Sequence, residues 1–442
     1  MKNLKKWDRH SLLSLSMGTD GDPRGNILLS PRGQVNVSDL KILSSTVDTI
    51  RQLYSGKMNS ELLVTLDDVY QQGPGSTWVD PLGNLFSVGG AMVGGYKYKL
   101  QSNDLGLIIL LKHRHHTPDV SASHLKIELS PKLIQSMGVV QIQSYLDSIA
   151  AQWLQSPQPA GCAVHMALDV QGWQPSSSFI HNFVCRSKRV TTSHGISDFT
   201  VDSGEIASVY GHGQSMLFGT SRAMQCAIYN KTREALARDK LDFWESIWST
   251  APGDDPFATA YDPDQDVWRV ELRFHQSVIR EYAAGEIDLK KCEYISQETG
   301  EVIGTDPHLM RWLDIVPHLT SLWRTSTLSF RLDHSPGLID PYWQCINEDP
   351  VYFDNLEPIH MKRVRKQPGR GNEKNIGLAL GNLISLYARQ GFTQEKALEC
   401  LRHSGIWGEI QAYYQRRGLE LWQLNDLIGK KLTERRLLGR AA

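Results

Sequence analysis

The stretch Met216-Leu-Phe-Gly-Thr-Ser-Arg-Ala-Met-Gln-Cys-Ala-Ile-Tyr229-Asn-Lys231 has the pattern of a β-hairpin whose second strand carries a tyrosine and a lysine. Residues two apart on a strand point to the same face. Cys226 and Ile228 are therefore predicted to face the core, and Tyr229 and Lys231 to share the other face. A nearby ammonium group favours the phenolate, which is scarce at neutral pH because the pKa of free tyrosine is about 10. The pair is a candidate for nucleophilic chemistry, although tyrosine is also a common structural residue of strands.

Two further stretches alternate between apolar and ionisable residues. In Ala163-Val-His-Met-Ala-Leu-Asp169, one face holds His165 and Asp169. In the stretch 268–274, the polar face holds Arg269, Glu271 and Arg273. If these strands and the strand of Tyr229 are neighbours in one sheet, the three polar faces converge. An alternating strand always has a polar face, however, and that face can simply be solvated.

This set of side chains suits phosphoryl transfer. His165, Asp169 and Glu271 offer the mixed nitrogen and oxygen ligands that can hold Mg²⁺ or Mn²⁺. Such an ion polarises a phosphodiester and neutralises developing charge. Tyr229, helped by Lys231, can then attack phosphorus, displace a 3′-hydroxyl and remain as a phosphotyrosine.

The length of 442 residues predicts two or three domains. Strands and helices interleave with short turns, which favours an α+β fold with an antiparallel sheet and helices on one face over a doubly wound parallel sheet. The stretch Thr46–Tyr54 fits a strand or a helix. The predicted divisions are a poorly ordered lead-in (1–40), a smaller β-rich α+β domain (41–155), a catalytic domain (156–333), a loop-rich connector (334–373) and a helical domain (374–442).

The charge is unevenly distributed along the chain. Residues 361–442 contain 16 Lys or Arg against 7 Asp or Glu, which leaves 31 against 41 in the remainder. A basic tail on an acidic body predicts contact with a polyanion, unless the bias belongs only to a solvated helical surface. The candidate DNA contacts of this tail are Lys362, Arg363, Arg365, Lys366, Lys430, Lys431, Arg435 and Arg436.

Composition also excludes several classes of protein. The six cysteines form no C-x-x-C pair, which argues against a disulfide framework and against a structural zinc site. No run approaches the roughly 18 apolar residues of a membrane helix, and the first residues do not read as a signal peptide. A location in the reducing bacterial cytoplasm, with no membrane partner, is the expectation.

Four stretches together resemble the replication initiation factors of rolling-circle plasmids and filamentous phages, and the relaxases related to them. That family has a strand of the type Arg-x-Asp-Leu-Ala-x-Asp, a Gly-Ser-Arg-x-Ser turn before Arg-x-Tyr-(Asp/Glu/Asn)-Lys, a helix with Glu and Trp, and Arg-x-Glu. The corresponding stretches here are Ala163–Asp169, Gly219–Arg222 with Ala227–Lys231, Glu234 with Phe243–Trp248, and Arg269–Glu271. Weaker similarity extends to Ser45–Asp48 and His124–Pro131.

The resemblance implies a sheet-based, metal-dependent nuclease that nicks one strand of origin DNA and forms a 5′-phosphotyrosyl intermediate. Tyr229 matches the nucleophile and Lys231 an electrostatic helper. Asp169 and Glu271, with His165, match the metal ligands, and the predicted DNA contacts here are Arg222, Arg269 and Arg273. The implied role is a replication initiator of a plasmid, phage or mobile element that binds origin DNA, single-stranded at the nick. A host helicase and a second copy of the chain are further candidate partners.

The chain also departs from the family pattern. His165 replaces the first aspartate, and Ala163 and Ala227 replace arginines. Tyr210 is an alternative nucleophile, and His113-Arg-His115-His116 is an alternative metal motif unless it lies in a solvated loop. Two other functions therefore stay open: a conjugative relaxase, and a DNA-binding replication regulator that does not nick.

Overall fold

The computed structural model describes most of the chain. The described residues are 4–81, 83–90, 95–112, 123–176, 179–185, 190–193, 215–220, 223–253, 258–284, 292–295, 302–306, 309–353, 358, 361–363, 373–416 and 418–438.

The described strands are β1 (Asp8–His10), β2 (Ile27–Ser30), β3 (Gly33–Asn36), β4 (Lys41–Met58), β5 (Thr77–Val79), β6 (Leu85–Gly90), β7 (Tyr98–Ser102), β8 (Leu107–Leu111), β9 (Leu125–Leu129), β10 (Leu154–Gln171), β11 (Phe183–Cys185), β12 (Val190–Ser193), β13 (Ser215–Gly219), β14 (Met224–Asn230), β15 (Trp268–Phe274), β16 (Cys292–Ile295), β17 (Val302–Asp306), β18 (Phe330–Ser335) and β19 (Leu338–Ile339).

The described helices are α1 (Leu12–Met17), α2 (Ser60–Gln71), α3 (Pro131–Gln135), α4 (Val139–Trp153), α5 (Phe179–Asn182), α6 (Lys231–Ala237), α7 (Leu241–Trp248), α8 (Gln276–Ala283), α9 (Trp312–Ile315), α10 (Leu319–Thr327), α11 (Pro341–Glu348), α12 (Glu373–Arg389), α13 (Gln394–Arg402), α14 (Trp407–Gln415) and α15 (Leu421–Leu438). None of these helices is long and apolar enough to cross a membrane.

One large antiparallel sheet organises the first unit of the chain. Within the described ranges it has eleven strands in the order β12-β13-β14-β15-β10-β4-β9-β8-β7-β6-β5. Its centre is the pair β4 and β10, each 18 residues long, which stay paired from Met58 with Leu154 to Lys41 with Gln171. The prediction of a mixed fold with an antiparallel sheet is confirmed.

The predicted boundary between residues 155 and 156 falls inside this sheet. Strand β10 begins at Leu154, and its partner β4 belongs to the first of the two predicted domains. The two stretches 41–155 and 156–333 therefore both contribute strands to this one sheet. The predicted boundary fell inside the sheet because β4 and β10 pair along a length of 18 residues. This long ladder joins strands from both stretches.

One face of the sheet is apolar and forms the main core. Met166, Leu272, Cys226 and Ile228 are all fully buried on three adjacent strands, which confirms the predicted orientation of the last two. Helices α4 and α8 pack against β10. We expected helices on one face only, but Trp248 of α7 reaches a polar-face side chain of β10 on the opposite side. The apolar α7 residues find their partners in a small second cluster that includes Leu43.

The stretch 1–40, predicted to be poorly ordered, contains a small sheet of β1, β2 and β3 and the helix α1. Trp7 and Leu28 are buried in the main core. The indole nitrogen of Trp7 donates to the carbonyl oxygen of Ile339 at 2.8 Å. The prediction was wrong because a few apolar anchors bind this polar stretch to a distant part of the chain.

The predicted connector is also partly integrated into the core. Helix α11 begins at Pro341 after the cap residue Asp340, whose side chain accepts a hydrogen bond from the backbone of Trp343. Trp343 is fully buried. This part of 334–373 is therefore a packed element, since a capped helix buries its aromatic face against the sheet's core.

The chain divides into two compact units, 1–364 and 365–442. In its described residues the second unit consists of α12 to α15. Their apolar faces enclose a core of their own, formed by Leu380, Ile384, Leu401, Ile410, Leu424 and Ile428.

Candidate functional site

The three strands with ionisable faces are direct neighbours. Their order is β14-β15-β10, so the predicted convergence is observed. The cross-strand rows on the polar face are Tyr229–Arg269–Asp169, Ala227–Glu271–Ala167 and Gln225–Arg273–His165. Glu271 thus stands between two alanines, so neither neighbour across the sheet offers a charged or polar partner to its carboxylate.

Glu271 is the centre of the hydrogen-bond network. Its carboxylate accepts from the Arg273 guanidinium at 2.8 and 3.2 Å, and from the Tyr229 hydroxyl at 3.1 Å. Nδ1 of His165 lies 3.4 Å from its other oxygen. Burial alone would raise the pKa of Glu271, but the Arg273 charge and the His165 contact hold that pKa well below its usual value. Glu271 is therefore an anion in the centre of the site.

Asp48 joins this cluster from strand β4. Thr49 pairs with His165 and Val47 with Met166, so Asp48 is the extra residue of a β-bulge. One nitrogen or oxygen atom from each of Asp48, His165 and Glu271 lies within 4.8 Å of the other two. Asp48 was not among the predicted ligands, because the stretch Thr46–Tyr54 fitted either a strand or a helix and so assigned its side chains to no face. The signal that pointed to it was the weak similarity at Ser45–Asp48.

Asp169 has a different role from the predicted one. Its two carboxylate oxygens accept from the Arg269 guanidinium at 2.6 and 2.8 Å, and one also accepts from the Trp248 indole at 2.8 Å. Arg269 donates its remaining terminal nitrogen to Asp48 at 2.7 Å. Asp169 is therefore the buried counter-ion of Arg269, and Asp48 takes the place beside His165 and Glu271 that was predicted for Asp169.

Arg269 itself is fully buried and lies 4.1 Å from the centre of the Trp244 ring. A guanidinium without exposed surface is not able to contact a DNA phosphate, so the prediction of Arg269 as a DNA contact was wrong. Its two carboxylates and the aromatic ring make it an internal brace between β10, β15 and the bulge of β4.

Lys231 is close to Tyr229 but lies outside the strand. Strand β14 ends at Asn230, which caps helix α6, and Lys231 is the first helical residue. Its ammonium lies 2.5 Å from Glu234 and 5.9 Å from the centre of the Tyr229 ring. Burial and the Arg269 charge lower the pKa of Lys231. The predicted neighbourhood is observed, although the shared strand face is not.

The phenol of Tyr229 is held in its protonated form. Burial and the neighbouring Glu271 charge raise its pKa well above 10. In this arrangement the O–H group donates to Glu271 and the oxygen is aimed at the Asp48–His165–Glu271 cluster.

A groove crosses the polar face of the sheet and opens at this cluster. Its volume is about 1090 Å³. It extends from Phe243 and Lys231 at one end to Gln101 and Lys132 at the other, and Tyr229 and Glu271 lie in its wall. The groove crosses the strands from β13 to β7, a distance of about 34 Å for a spacing of roughly 4.8 Å between neighbouring strands.

The remaining predicted DNA contacts vary in their surroundings. Arg273 is 34% exposed beside Glu271, and Arg363 pairs with Glu281. Lys430 and Lys431 are exposed and pair with Asp426 and Glu434. Arg435 donates to Gly381 and Ser385, while Arg436 is half-buried and Lys362 is exposed. Arg222, Arg365, Lys366, Tyr210, His113, His115 and His116 lie outside the described residues.

A scan against protein-family models finds no match. The uncharacterized protein ORF430 of Pseudomonas phage Pf1 is 35% identical over 430 residues, and the alignment covers 94% of each chain. The chain belongs to the family of this phage protein. The name of the ORF430 relative states no activity, so the likeness to replication initiation factors stays a prediction.

Proposed function

We propose that this protein nicks one strand of origin DNA with Tyr229 and so initiates rolling-circle replication of the phage or mobile element that encodes it. The observation that carries the proposal is the position of the Tyr229 hydroxyl. It lies 3.1 Å from Glu271, beside a cluster of metal-ligand type, in an open groove. A relative encoded by a phage is consistent with this role.

The donor set fits Mg²⁺ or Mn²⁺. Asp48, His165 and Glu271 offer two carboxylates and one imidazole in a compact group, and hard divalent ions accept such mixed ligands. When bound, the ion supplies positive charge that polarises the phosphodiester and stabilises the phenolate. Ala227 and Ala167, which flank Glu271, offer no polar group that would compete with an ion for its carboxylate.

Each residue of the site has its own role in the proposed reaction. The Tyr229 oxygen forms a bond to phosphorus, and its proton passes to Glu271, which already accepts its hydrogen bond. The bond from phosphorus to the 3′-oxygen breaks, and that oxygen takes a proton from water. The 5′-phosphate remains on Tyr229, and Lys231 adds positive charge to the site.

The test is a nicking assay on supercoiled DNA that carries the origin, with Mg²⁺ or Mn²⁺. We expect open-circular product with protein attached to the 5′ end, and loss of both in Tyr229→Phe. Tyr261→Phe is the matched control, because Tyr261 also donates to a carboxylate, Glu245 at 3.0 Å, but does not line the groove. Undiminished nicking by Tyr229→Phe would show that Tyr229 is not the nucleophile.

A DNA-binding replication regulator that does not nick is the second candidate. It is favoured by one observation: guanidinium groups already neutralise two of the cluster's ligands, Arg273 at Glu271 and Arg269 at Asp48. Binding of origin DNA without any nick or covalent product from the unmodified protein would support the regulator. A conjugative relaxase would use the same chemistry, and would be distinguished by a substrate at a transfer origin.

A further inference from the structure

A second group of charged side chains lies on the polar face beyond His165. Arg51 of β4 pairs with Ala163 on one side and with Glu128 of β9 on the other. Lys126 stands two residues before Glu128 and therefore on the same face. His275 directly follows Phe274, which pairs with Val164, and its Nδ1 accepts a hydrogen bond from the backbone N–H of Ser277 at the start of α8. The charges of Lys126 and Arg51 act on its imidazole.

Positive charge is in excess here. The Arg51 guanidinium donates to both oxygens of Glu128, at 2.8 and 3.3 Å. The Lys126 ammonium lies 4.0 Å from the same carboxylate. Among the described residues around this row, one carboxylate thus faces two cations. Lys126 is too far from it for a hydrogen bond, since N–H···O bonds have heavy-atom distances of about 2.7–3.2 Å.

The two cations are partly shielded and still accessible. The side chain of Arg51 is 35% exposed and that of Lys126 is 23% exposed. Burial and the Arg51 charge lower the pKa of Lys126. Burial, with the charges of Lys126, Arg51 and Arg280, also lowers the pKa of His275. An anion bound at this point would relieve the mutual repulsion of these groups, because an opposite charge nearby favours the charged form of each cation.

Ala163 has the shortest side chain in this row. It pairs with Arg51 and presents only a methyl group beside the guanidinium. Ala163 is two residues from His165, which corresponds to about 7 Å along a strand. That distance is close to the spacing of successive phosphates in an extended single strand of DNA.

We propose that Arg51, Lys126 and His275 form a binding subsite for the phosphate that adjoins the scissile one on the same DNA strand. The inference rests on the proposed nicking function and names part of its substrate contact. Arginine and lysine are the usual partners of phosphate oxygens, and a neutral imidazole donates one further hydrogen bond. A phosphate held here fixes the strand so that its neighbour lies at the Asp48–His165–Glu271 cluster, opposite Tyr229.

The experiment measures binding of a fluorescent ten-residue oligothymidylate as a function of NaCl concentration. The full chain carries Tyr229→Phe and the buffer contains EDTA, so that no covalent product forms. Each phosphate contact to a single strand contributes about 0.7 to the slope of log affinity against log salt. We expect Lys126→Gln to reduce that slope by about 0.7. Lys126→Arg, which keeps the cation, should retain the slope.

Lys57→Gln is the matched control, because Lys57 is an exposed lysine of β4 and its loss changes the total charge equally. A reduction common to Lys126→Gln and Lys57→Gln would overturn the subsite. A second measurement uses oligonucleotides with one neutral methylphosphonate. At one position of the oligonucleotide, the methylphosphonate should weaken binding to the parent protein. The same substitution should not weaken binding to Lys126→Gln any further.

The result of this binding experiment can be distinguished from the result of the nicking assay. If Tyr229→Phe still nicks DNA, Tyr229 is not the nucleophile, whatever slope of log affinity against log salt is measured. If nicking depends on Tyr229 but the slope of Lys126→Gln equals that of Lys57→Gln, the subsite alone is wrong.

Discussion

Arg269 connects three parts of the site through one buried guanidinium. It binds Asp169 and Asp48 and lies against Trp244. Breaking a buried ion pair by removing one partner costs about 3–5 kcal/mol, because the other charge stays buried and unpaired. We therefore expect Arg269→Met to lower the free energy of unfolding by about 3–5 kcal/mol in denaturant titrations.

The comparison for this loss is Arg233→Met. Arg233 is 55% exposed and lies 3.7 Å from Asp266. Exposed ion pairs contribute about 0–1 kcal/mol, so this variant should unfold almost like the parent protein. Equal losses in the two variants would contradict the role of Arg269 as an internal brace.

Asp48 and Asp169 both pair with Arg269. Substitution of Asp48 should weaken metal binding, whereas substitution of Asp169 should lower the stability of the fold. Asp48→Asn removes a ligand of the cluster, and we expect the affinity for Mn²⁺, measured by electron paramagnetic resonance of the free ion, to fall by more than about tenfold. Asp169→Asn should instead lower the melting temperature. Unchanged Mn²⁺ binding in Asp48→Asn would exclude Asp48 from a metal site.

The pKa of Glu271 predicts a pH dependence of stability. Its folded-state pKa lies well below the unfolded value of about 4.3, so its ionised form stabilises the fold above that pH and this contribution is lost as pH falls through the folded-state pKa. Arg273→Met removes the charge that lowers this pKa. We expect the variant to begin acid unfolding at a higher pH than the parent, as followed by circular dichroism. A midpoint that moves to lower pH would contradict this account.

Residue types in alternation were sufficient to find Tyr229, His165 and Glu271. They were insufficient for Asp48, because a bulge changes the phase of a strand and leaves no mark in the alternation of its residues. They also did not distinguish a carboxylate that faces the groove from one that neutralises a buried arginine. Asp169 and Glu271 have the same pattern in sequence, and only the partners across the sheet separate them.

At the scale of elements, the site depends on small residues in adjacent strands. Ala227 and Ala167 flank Glu271 on either side. Ala227→Leu would place three additional carbon atoms above the Glu271 carboxylate without entering the core face. We expect loss of nicking and of Mn²⁺ binding, together with a lower melting temperature, because Ala227 is buried and the larger side chain crowds its neighbours.

Ala237→Leu is the control for Ala227→Leu, because Ala237 is exposed at the end of α6. It should retain both activities. Full nicking by Ala227→Leu would mean that the space above Glu271 is not used by the substrate.

The type and the end of some elements were also not determined by the sequence. Thr46–Tyr54 fitted a strand or a helix, and only the ladder with β10 makes it part of a strand of 18 residues. Lys231 was placed two positions along the strand from Tyr229, but the Asn230 side chain caps a helix at that point. Tertiary pairing decided the first case and local capping the second.

At the scale of the whole molecule, the two units have separate cores. We expect a chain of residues 1–364 to fold with a melting temperature near that of the corresponding transition in the full protein. It should form the Tyr229 adduct on a short oligonucleotide but bind long DNA with a smaller salt dependence, because the basic unit is absent. Failure of 1–364 to unfold cooperatively would contradict the independence of the units.

Composition was a reliable guide to the second unit and a poor one to the divisions within the first. A basic, helix-forming stretch is visible in sequence alone. A sheet that joins strands from both predicted domains is not visible, since pairing between β4 and β10 depends on contacts more than 100 residues apart.

The bulge of β4 also determines when a chain under synthesis acquires a complete site. Asp48 and its partner Arg269 are separated by 221 residues. At roughly 5–20 residues per second, a ribosome needs about 10 to 45 s to travel that distance. Throughout that interval the nascent chain contains Asp48 but neither the arginine nor the glutamate of β15. The Asp48–His165–Glu271 cluster and its partner Arg269 are therefore complete only after β15 has been synthesised.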